Sequence, residues 1–153
     1  MASIKNNNIR THLNPTKRST SNYIKIIDLE NPAFGYAREQ LWLKKLKDNS
    51  YQVCCIPYLI YDVCLDDVVS IADGHIRIVK KSKRFGFRVI VSPDKAEELM
   101  MILHKNNYTF EHEQDHSLIA VDALSIKYAK ELSNLLSSLL NDKLIKEYET
   151  IRL

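Results

Sequence analysis

Residues 85–107 read FGFRVIVSPDKAEELMMILHKNN, and the hydrophobic period changes inside this stretch. As far as Val91 the residues are mostly β-branched or aromatic, which is typical of a strand. Ser92-Pro93 suits a helix start, because serine can cap a helix and proline fits the first helical position. Apolar residues then share one helical face, at Ala96, Leu99, Met100 and Leu103. The stretch therefore predicts a strand followed by an amphipathic helix.

A second copy of this pattern follows about thirty residues later. Tyr108 to Glu113 and Ser117 to Ala123 predict two strands about a polar turn, and Ser125 can cap a second helix. Ile145 to Leu153 predicts a final strand. The resulting order is strand, helix, strand, strand, helix, strand, as in ferredoxin-like folds. Residues 85–153 are therefore predicted to form such a unit, with five leucines in its core: Leu99, Leu103, Leu132, Leu136 and Leu139.

Residues 23–84 carry short apolar runs of strand length. Asp73-Gly74 predicts a tight hairpin, because glycine tolerates the positive φ of a primed turn. We therefore expect a small bent β-sheet or partial barrel here, with a break at Asn31-Pro32. The predicted strands are Tyr23 to Asp28, Gln40 to Leu46, Tyr51 to Ile56, Val68 to Ala72 and His75 to Val79.

The first 22 residues are polar, with basic side chains and no acidic ones. Such a composition cannot bury a core, so we expect residues 1–22 to form a mobile arm. The predicted fold class is α+β, with the arm, a β-rich unit over 23–84 and the ferredoxin-like unit over 85–153.

Composition excludes several classes of protein. Apolar residues make up 45% and charged residues 27% of the 153, as in ordinary globular domains. Only three glycines are present, which argues against a glycine-rich phosphate cradle. The three cysteines lie among apolar neighbours and indicate reduced thiols. No run is long enough to span a membrane, so we expect a cytoplasmic protein without an anchor or a bound cofactor.

A set of short motifs recurs in a fixed order over about residues 36–90. The motifs are Leu41-Trp42, Tyr51-Gln52-Val53, Ile56-Pro57-Tyr58, Tyr61-Asp62-Val63 and Asp66-Asp67-Val68-Val69. This region resembles a family of small bacterial proteins whose function has no established description. The resemblance implies a fold and a bacterial origin. The residues themselves are explained by structure: we expect Trp42 and Tyr51 to pack across a hairpin and Asp67 to accept amide hydrogen bonds of a turn.

The sequence His112-Glu113-Gln114-Asp115-His116 matches the H-E-x-x-H motif of zinc enzymes. That motif works on a helix, where histidines at i and i+4 point the same way and the glutamate acts as base. Here strand-like residues flank it on both sides, which indicates a solvated hairpin tip instead. The sequence therefore predicts no metal site, no catalytic residue and no enzyme, although distant residues could still meet in an unannounced active site.

A basic segment runs from Lys80 to Arg88 and includes two phenylalanines. It partly resembles the Lys/Arg-Gly-Phe-Gly-Phe strand of RNA-recognition modules, which follows the first helix of those modules, whereas this one precedes it. A nucleic-acid partner is therefore disfavoured, but a basic face of Lys80, Lys81, Lys83 and Arg84 remains an alternative binding surface. The basic arm residues Arg10, Lys17 and Arg18 would extend it.

Charge is unevenly distributed along the chain. Residues 1–84 hold 14 basic and 8 acidic residues, and residues 85–153 hold 8 and 11. The bias of 15 lysines to 7 arginines, with frequent Asn and Ile, is by type similar to immunity proteins of contact-dependent inhibition systems. The first functional hypothesis is therefore a non-enzymatic inhibitor that covers the active site of a cognate bacterial toxin domain.

A nuclease toxin would present a positive substrate groove, so the inhibitor needs a carboxylate-rich surface. The sequence suggests Glu111, Glu113, Asp115 and Asp122 as the residues that bind this partner. The runner-up hypothesis is a nucleic-acid-binding or regulatory protein, and the third is an unrecognised enzyme.

Overall fold

The computed structural model describes residues 8–113 and 117–152, which contain ten strands in two sheets and two helices. The first sheet contains β1 Ile9–Arg10, β2 Tyr23–Ala33, β3 Tyr36–Lys45, β4 Tyr51–Val53, β5 Val68–Ala72 and β6 His75–Lys80. The second contains β7 Phe85–Ile90, β8 Thr109–His112, β9 Leu118–Ala123 and β10 Glu147–Thr150, and the helices are α1 Pro93–Lys105 and α2 Ile126–Asn141. The α+β prediction is confirmed.

The second sheet has the strand order β10-β7-β9-β8, and all its pairs are antiparallel. With α1 after β7 and α2 after β9, this is the predicted ferredoxin-like arrangement. Both helices bury their apolar stripe against one face of the sheet, where it meets Phe87, Val89 and Val121. All five leucines of the predicted core are buried there. Neither helix in the described part of the chain is long and apolar enough to cross a membrane.

We expect Leu136→Ala to lower the free energy of unfolding by about 2–5 kcal/mol. The Leu136 side chain is fully buried in the core between helices and sheet, so its removal leaves a cavity there. Urea unfolding of the variant measures this loss. The exposed Leu140 on the same helix provides the control, and Leu140→Ala should cost less than about 1 kcal/mol. Equal losses for the two variants would contradict the packing of α2.

The first sheet curls until its outer strands β2 and β6 approach each other. The Asp28 N–H donates to the Gly74 carbonyl at 2.9 Å, but β2 and β6 form no ladder in the described residues. The sheet is thus bent and partly closed, as predicted. Gly74 has a φ of +79°, and a Cβ there would lie 2.7 Å from Asp28 Oδ2. Glycine is therefore needed at this turn for both conformation and space.

The predicted break at Asn31-Pro32 is wrong, because β2 continues through it to Ala33. Proline is tolerated there, since β2 is an outer strand and its register with β3 shifts between Asp28 and Ala33. The tight turn Phe34-Gly35, with both residues at positive φ, then leads into β3. This hairpin was missed by the sequence analysis.

The expectation of a mobile arm over 1–22 is wrong for its described part, residues 8–22. Strand β1 pairs in parallel with β3, and the side chains of Arg10 and His12 are 1% and 2% exposed. Composition misled here because residues far along the chain receive these polar side chains: the Arg10 guanidinium lies over the Tyr58 ring at 4.1 Å, and His12 bonds to Glu39 and Glu111. Residues 1–7 lie outside the described part.

The two sheets pack against each other through one shared core. Leu118 and Ala120 of the second sheet belong to the same apolar cluster as Ile27 and Leu41 of the first. The segment 54–67 between β4 and β5 fills this layer, and most of its side chains are buried. The sheet face opposite the helices is therefore covered and is not a free binding surface.

Candidate functional site in the buried polar layer

Segment 54–67 runs through the core without strand partners for much of its backbone. Buried N–H groups need hydrogen-bond acceptors, and leaving one unpaired costs about 1–3 kcal/mol. Three buried carboxylates supply acceptors at three places along the segment: Glu39 of β3, Glu111 of β8 and Asp67 at its own end. These carboxylates and their partners form the polar layer between the two sheets.

The Glu39 side chain is fully buried and accepts four hydrogen bonds. Three come from consecutive backbone N–H groups, those of Tyr58 at 2.7 Å, Leu59 at 2.7 Å and Ile60 at 3.1 Å. The fourth comes from His12 Nε2 at 2.8 Å. Glu39 therefore fixes the bend of the segment just after the Ile56-Pro57 motif.

Glu111 reaches the same segment from the second sheet. Its Oε2 accepts from the Ile56 N–H at 2.6 Å and from the backbone and hydroxyl of Thr16 at 3.0 and 2.7 Å. Its Oε1 accepts from His12 Nδ1 at 2.7 Å. Glu111 thus joins β8 to the first sheet and to the N-terminal segment.

The His12 ring lies between these two carboxylates and is fully buried. An ionised carboxylate only accepts, so both ring nitrogens must carry a proton and the ring is an imidazolium. Burial by itself lowers the pKa of His12, but the neighbouring Cys55 and the hydrogen bonds to Glu111 and Glu39 raise it well above 6.5. His12 is therefore a positive charge that holds the two sheets together.

We expect the wild-type protein to lose stability between pH 6.5 and pH 8. Because the pKa of His12 is raised in the fold, its contribution is complete below the unfolded value of about 6.5 and is lost as pH rises toward the folded one. The slope of the free energy of unfolding should approach about −1.4 kcal/mol per pH unit. Burial also raises the pKa of Asp122 to about 6, but this carboxyl is present in both wild type and the His12 variant, so the difference between their slopes reports His12. Urea unfolding of wild type and His12→Ala across this pH window measures the effect, and an unchanged slope in the variant would contradict it.

A second buried ion pair joins the chain's C-terminal end to segment 54–67. Asp67 is fully buried and accepts from the Cys64 N–H at 2.9 Å, the Ser82 N–H at 2.7 Å and the Arg152 guanidinium. Arg152 also donates to the backbone carbonyls of Asp62, Ser82 and Arg84. The predicted role of Asp67 as an acceptor of turn amides is confirmed.

The acidic surface suggested by the sequence is not a surface. Glu111, Glu113 and Asp122 are 4%, 9% and 4% exposed, and Asp115 lies outside the described residues. Glu113 contacts the Thr11 hydroxyl at 3.3 Å, and Asp122 accepts from Arg84 at 2.6 Å. These carboxylates point from the second sheet toward the first, so the packing of the two units buries them.

Much of the alternative basic face is neutralised within the molecule. Arg84 bridges Asp66 and Asp122, and Lys81 lies 3.1 Å from Asp62. The exposed residues Lys80 and Lys83 keep no ion pair in the described part of the chain. The basic face is therefore expected to bind phosphates more weakly than its sequence indicates.

The H-E-x-x-H motif does not lie on a helix. His112 is the last residue of β8, Glu113 is turned toward Thr11, and His116 lies outside the described residues. The described residues contain no group of three His, Cys, Asp or Glu side chains placed to hold a metal. The absence of a catalytic metal stays a prediction, which metal analysis of untagged protein can check.

Cys55 beside His12 is the arrangement closest to a catalytic pair. Both nitrogens of the ring already face carboxylates, so neither is left to take a proton from the thiol. Burial also raises the pKa of the Cys55 thiol, and the side chain is 0% exposed. This geometry favours a structural role for the pair.

We expect all three cysteines to resist thiol reagents in the native protein. Burial raises the pKa of Cys54 and raises the pKa of Cys64 to about 12, and only a thiolate attacks such reagents. With Ellman's reagent, the protein in urea should release three equivalents of thionitrobenzoate per chain. Under native conditions it should release much less than one equivalent within minutes. Rapid reaction of one native thiol would indicate a reactive cysteine instead.

One exposed cluster was missed by the sequence analysis. Lys45 lies over the Tyr23 ring and Lys25 over the Tyr51 ring, both at 5.9 Å, and the two tyrosine rings are 6.1 Å apart. The four residues come from β2, β3 and β4 and share one face of the sheet. Only the cross-strand register brings them together, and no sequence spacing announces it.

Residues 39–147 match DUF4265, a domain of unknown function, over more than half of the chain. The chain belongs to the DUF4265 family. The matched range contains the buried carboxylates Glu39, Asp67 and Glu111, whereas His12 and Arg152, which pair with them, lie outside it. The DUF4265 match overlaps the motif region of about residues 36–90 and runs on to residue 147.

A solved structure has a similar fold. It is described as a novel crystal structure of a hypothetical protein from Neisseria gonorrhoeae, with a TM-score of 0.66 and 15% sequence identity. The similarity covers 86% of this DUF4265 chain and 95% of that one. No curated protein matches the sequence.

Proposed function

We propose that this chain is a protein-binding module that neutralises a cognate toxin domain, with a nuclease as the first class to test. The proposal is supported by the structural role of the buried histidine and carboxylates, the side chain types that commonly act in catalysis. His12 and the carboxylates of Glu39, Glu111 and Asp67 are all committed to joining the two sheets and the segment between them. Such a layer makes a rigid body whose surface is preorganised for a partner.

The partner-facing surface must differ from the one that the sequence suggests, because Glu111, Glu113 and Asp122 are internal. Exposed carboxylates occur instead on α1, at Asp94, Glu97 and Glu98, and along β2, at Asp28 and Glu30. Only exposed groups can meet a basic substrate groove and exclude its nucleic acid.

The test begins with the gene adjacent to that of this chain, which the proposal predicts to encode a bacterial toxin domain. Co-expression should restore growth of bacteria that produce the toxin, and the purified proteins should form a 1:1 complex in which nuclease activity is lost. A core-destabilised Leu136→Ala variant should protect less well at elevated temperature. Full toxin activity in the presence of excess wild-type chain would refute the proposal.

A second candidate function is binding of single-stranded nucleic acid through the Lys25, Lys45, Tyr23 and Tyr51 cluster. The exposed Tyr23 ring and the half-buried Tyr51 ring, with their adjacent cations, resemble the stacking platforms used for unpaired bases. Binding of an oligonucleotide should weaken steeply with salt and fall on Tyr23→Ala together with Tyr51→Ala. Binding that ignores both changes would exclude this surface.

A further inference from the structure

A cleft of about 310 Å³ lies at the seam of the curled first sheet. Its walls come from β2 on one side, from β6 on the other and from residues 59–63 of the buried segment at the base. The cleft exists because β2 and β6 approach through the hydrogen bond from Asp28 to Gly74 but do not pair into a ladder. The volume is at the low end of the range of about 300–1,000 Å³ for ligand pockets.

The lining of this seam cleft is apolar inside and acidic at its mouth. Leu29, Leu59 and Val63 are buried in the wall and floor, whereas Asp28 and Glu30 are exposed at the edge. Among the described residues the lining contains no lysine or arginine, although it includes the imidazole of His75. The cleft therefore carries two negative charges in a protein whose net charge is +3.

The two carboxylates at the mouth differ from the other acidic residues nearby. Asp62 is paired with Lys81 and Arg152, and Glu149 is paired with Arg88. No ion pair joins Asp28 or Glu30 to a basic group within residues 8–113 and 117–152. Their charges are thus available to a partner.

We infer that the seam cleft receives an arginine or lysine side chain of the basic partner protein. The aliphatic stem of such a side chain packs on Leu and Ile surfaces while its charged head stays at the solvent-exposed end, and this lining offers both buried Leu and Val side chains and exposed carboxylates. Arginine fits best, because its planar guanidinium can donate to two carboxylates at once. Arginine anchors buried in pockets are also typical centres of binding energy in protein interfaces.

This inference rests on the proposed function, since a nuclease groove that binds phosphates is rich in such side chains. It replaces the surface of Glu111, Glu113 and Asp122 with a site whose carboxylates are accessible. The occupant is a single anchoring side chain, and the rest of the interface would surround the seam.

The first experiment measures the Kd of the complex between the toxin domain from the adjacent gene and this chain. It compares wild type with the double variant Asp28→Asn, Glu30→Gln. Both changes keep the shape of the side chains and remove only their charge, so the fold is retained. We expect Kd to rise by at least about tenfold, as for the loss of a charged anchor contact. The matched control Glu131→Gln, Glu147→Gln removes two exposed charges on α2 and β10, outside the carboxylates proposed to meet the toxin, and should change Kd by less than about twofold. A double variant that binds like wild type would overturn the inference.

The second experiment needs no toxin. Nα-acetyl-arginine methylamide is titrated at millimolar concentration into the free protein, and backbone amide shifts are followed by NMR. Shifts should concentrate at Asp28, Glu30 and Ile76, and they should be lost in the double variant. Nα-acetyl-norleucine methylamide, which has an apolar side chain without the charge, should cause much smaller shifts. Equal shifts for both compounds, or shifts elsewhere, would overturn the inference.

The two experiments separate the site from the function. If the chain binds no toxin but the arginine compound enters the seam cleft, the site stands and the proposed function fails. If wild type and double variant bind the toxin equally, the function stands and the site fails.

Discussion

Replacing His12 with alanine is expected to lower the free energy of unfolding by about 3–5 kcal/mol. The imidazolium lies between Glu39 and Glu111, at 2.8 and 2.7 Å, and none of the three side chains is more than 4% exposed. Its removal leaves two buried carboxylates without a counter-charge. They cannot turn to solvent, because Glu39 also accepts from three backbone N–H groups of segment 54–67 and Glu111 from the Ile56 N–H.

Chemical denaturation at pH 6.5 measures this loss by linear extrapolation. His104→Ala is the control, because His104 is exposed on α1 and its removal should cost less than about 0.5 kcal/mol. A loss of this small size in the His12 variant as well would show that the two carboxylates do not depend on the imidazolium.

Asp67→Ala is expected to lower the free energy of unfolding by a similar amount, about 3–5 kcal/mol. The change leaves the buried Arg152 guanidinium with the half-exposed Asp62 as its carboxylate partner, and it removes the acceptor of the Cys64 and Ser82 N–H groups. Because Arg152 ties the end of the chain to residues 62–84, we also expect that end to open first. Hydrogen exchange of the Ile151 amide, which donates to the Gly86 carbonyl at 2.7 Å, should accelerate.

Asp94→Ala provides the matched control, since Asp94 is an exposed carboxylate in the first turn of α1. Its loss should cost no more than about 1 kcal/mol, the size of a helix-dipole effect. If Asp67→Ala costs as little, the pair with Arg152 is not needed to hold the chain's end.

The ferredoxin-like unit could be predicted because its signals are local. The apolar stripe from Ala96 to Leu103 repeats with the helical period, and the runs around Val89 and Ile119 have strand composition. Such patterns arise from the geometry of one helix or strand against one apolar face. These patterns therefore do not depend on how the rest of the chain folds.

The N-terminal region was harder to predict because its turns do not follow the usual residues. The Phe34-Gly35 turn forms inside a stretch where Asn31-Pro32 offers a stronger turn signal. The outer position of β2 removes the cost of proline there. Whether a strand lies at the edge of a sheet is set by pairing and not by its own residues.

The sequence by itself determined the α+β class, the two amphipathic helices and the strands that flank them, because periodicity within a segment is a local property. Only the tertiary structure decided which polar residues are buried and which partners they pair with. His12 and Glu111 are 99 positions apart, and Asp67 and Arg152 are 85 apart. A glutamate in a polar stretch is identical in sequence whether it meets water or a buried imidazolium, and packing of the two sheets makes that choice.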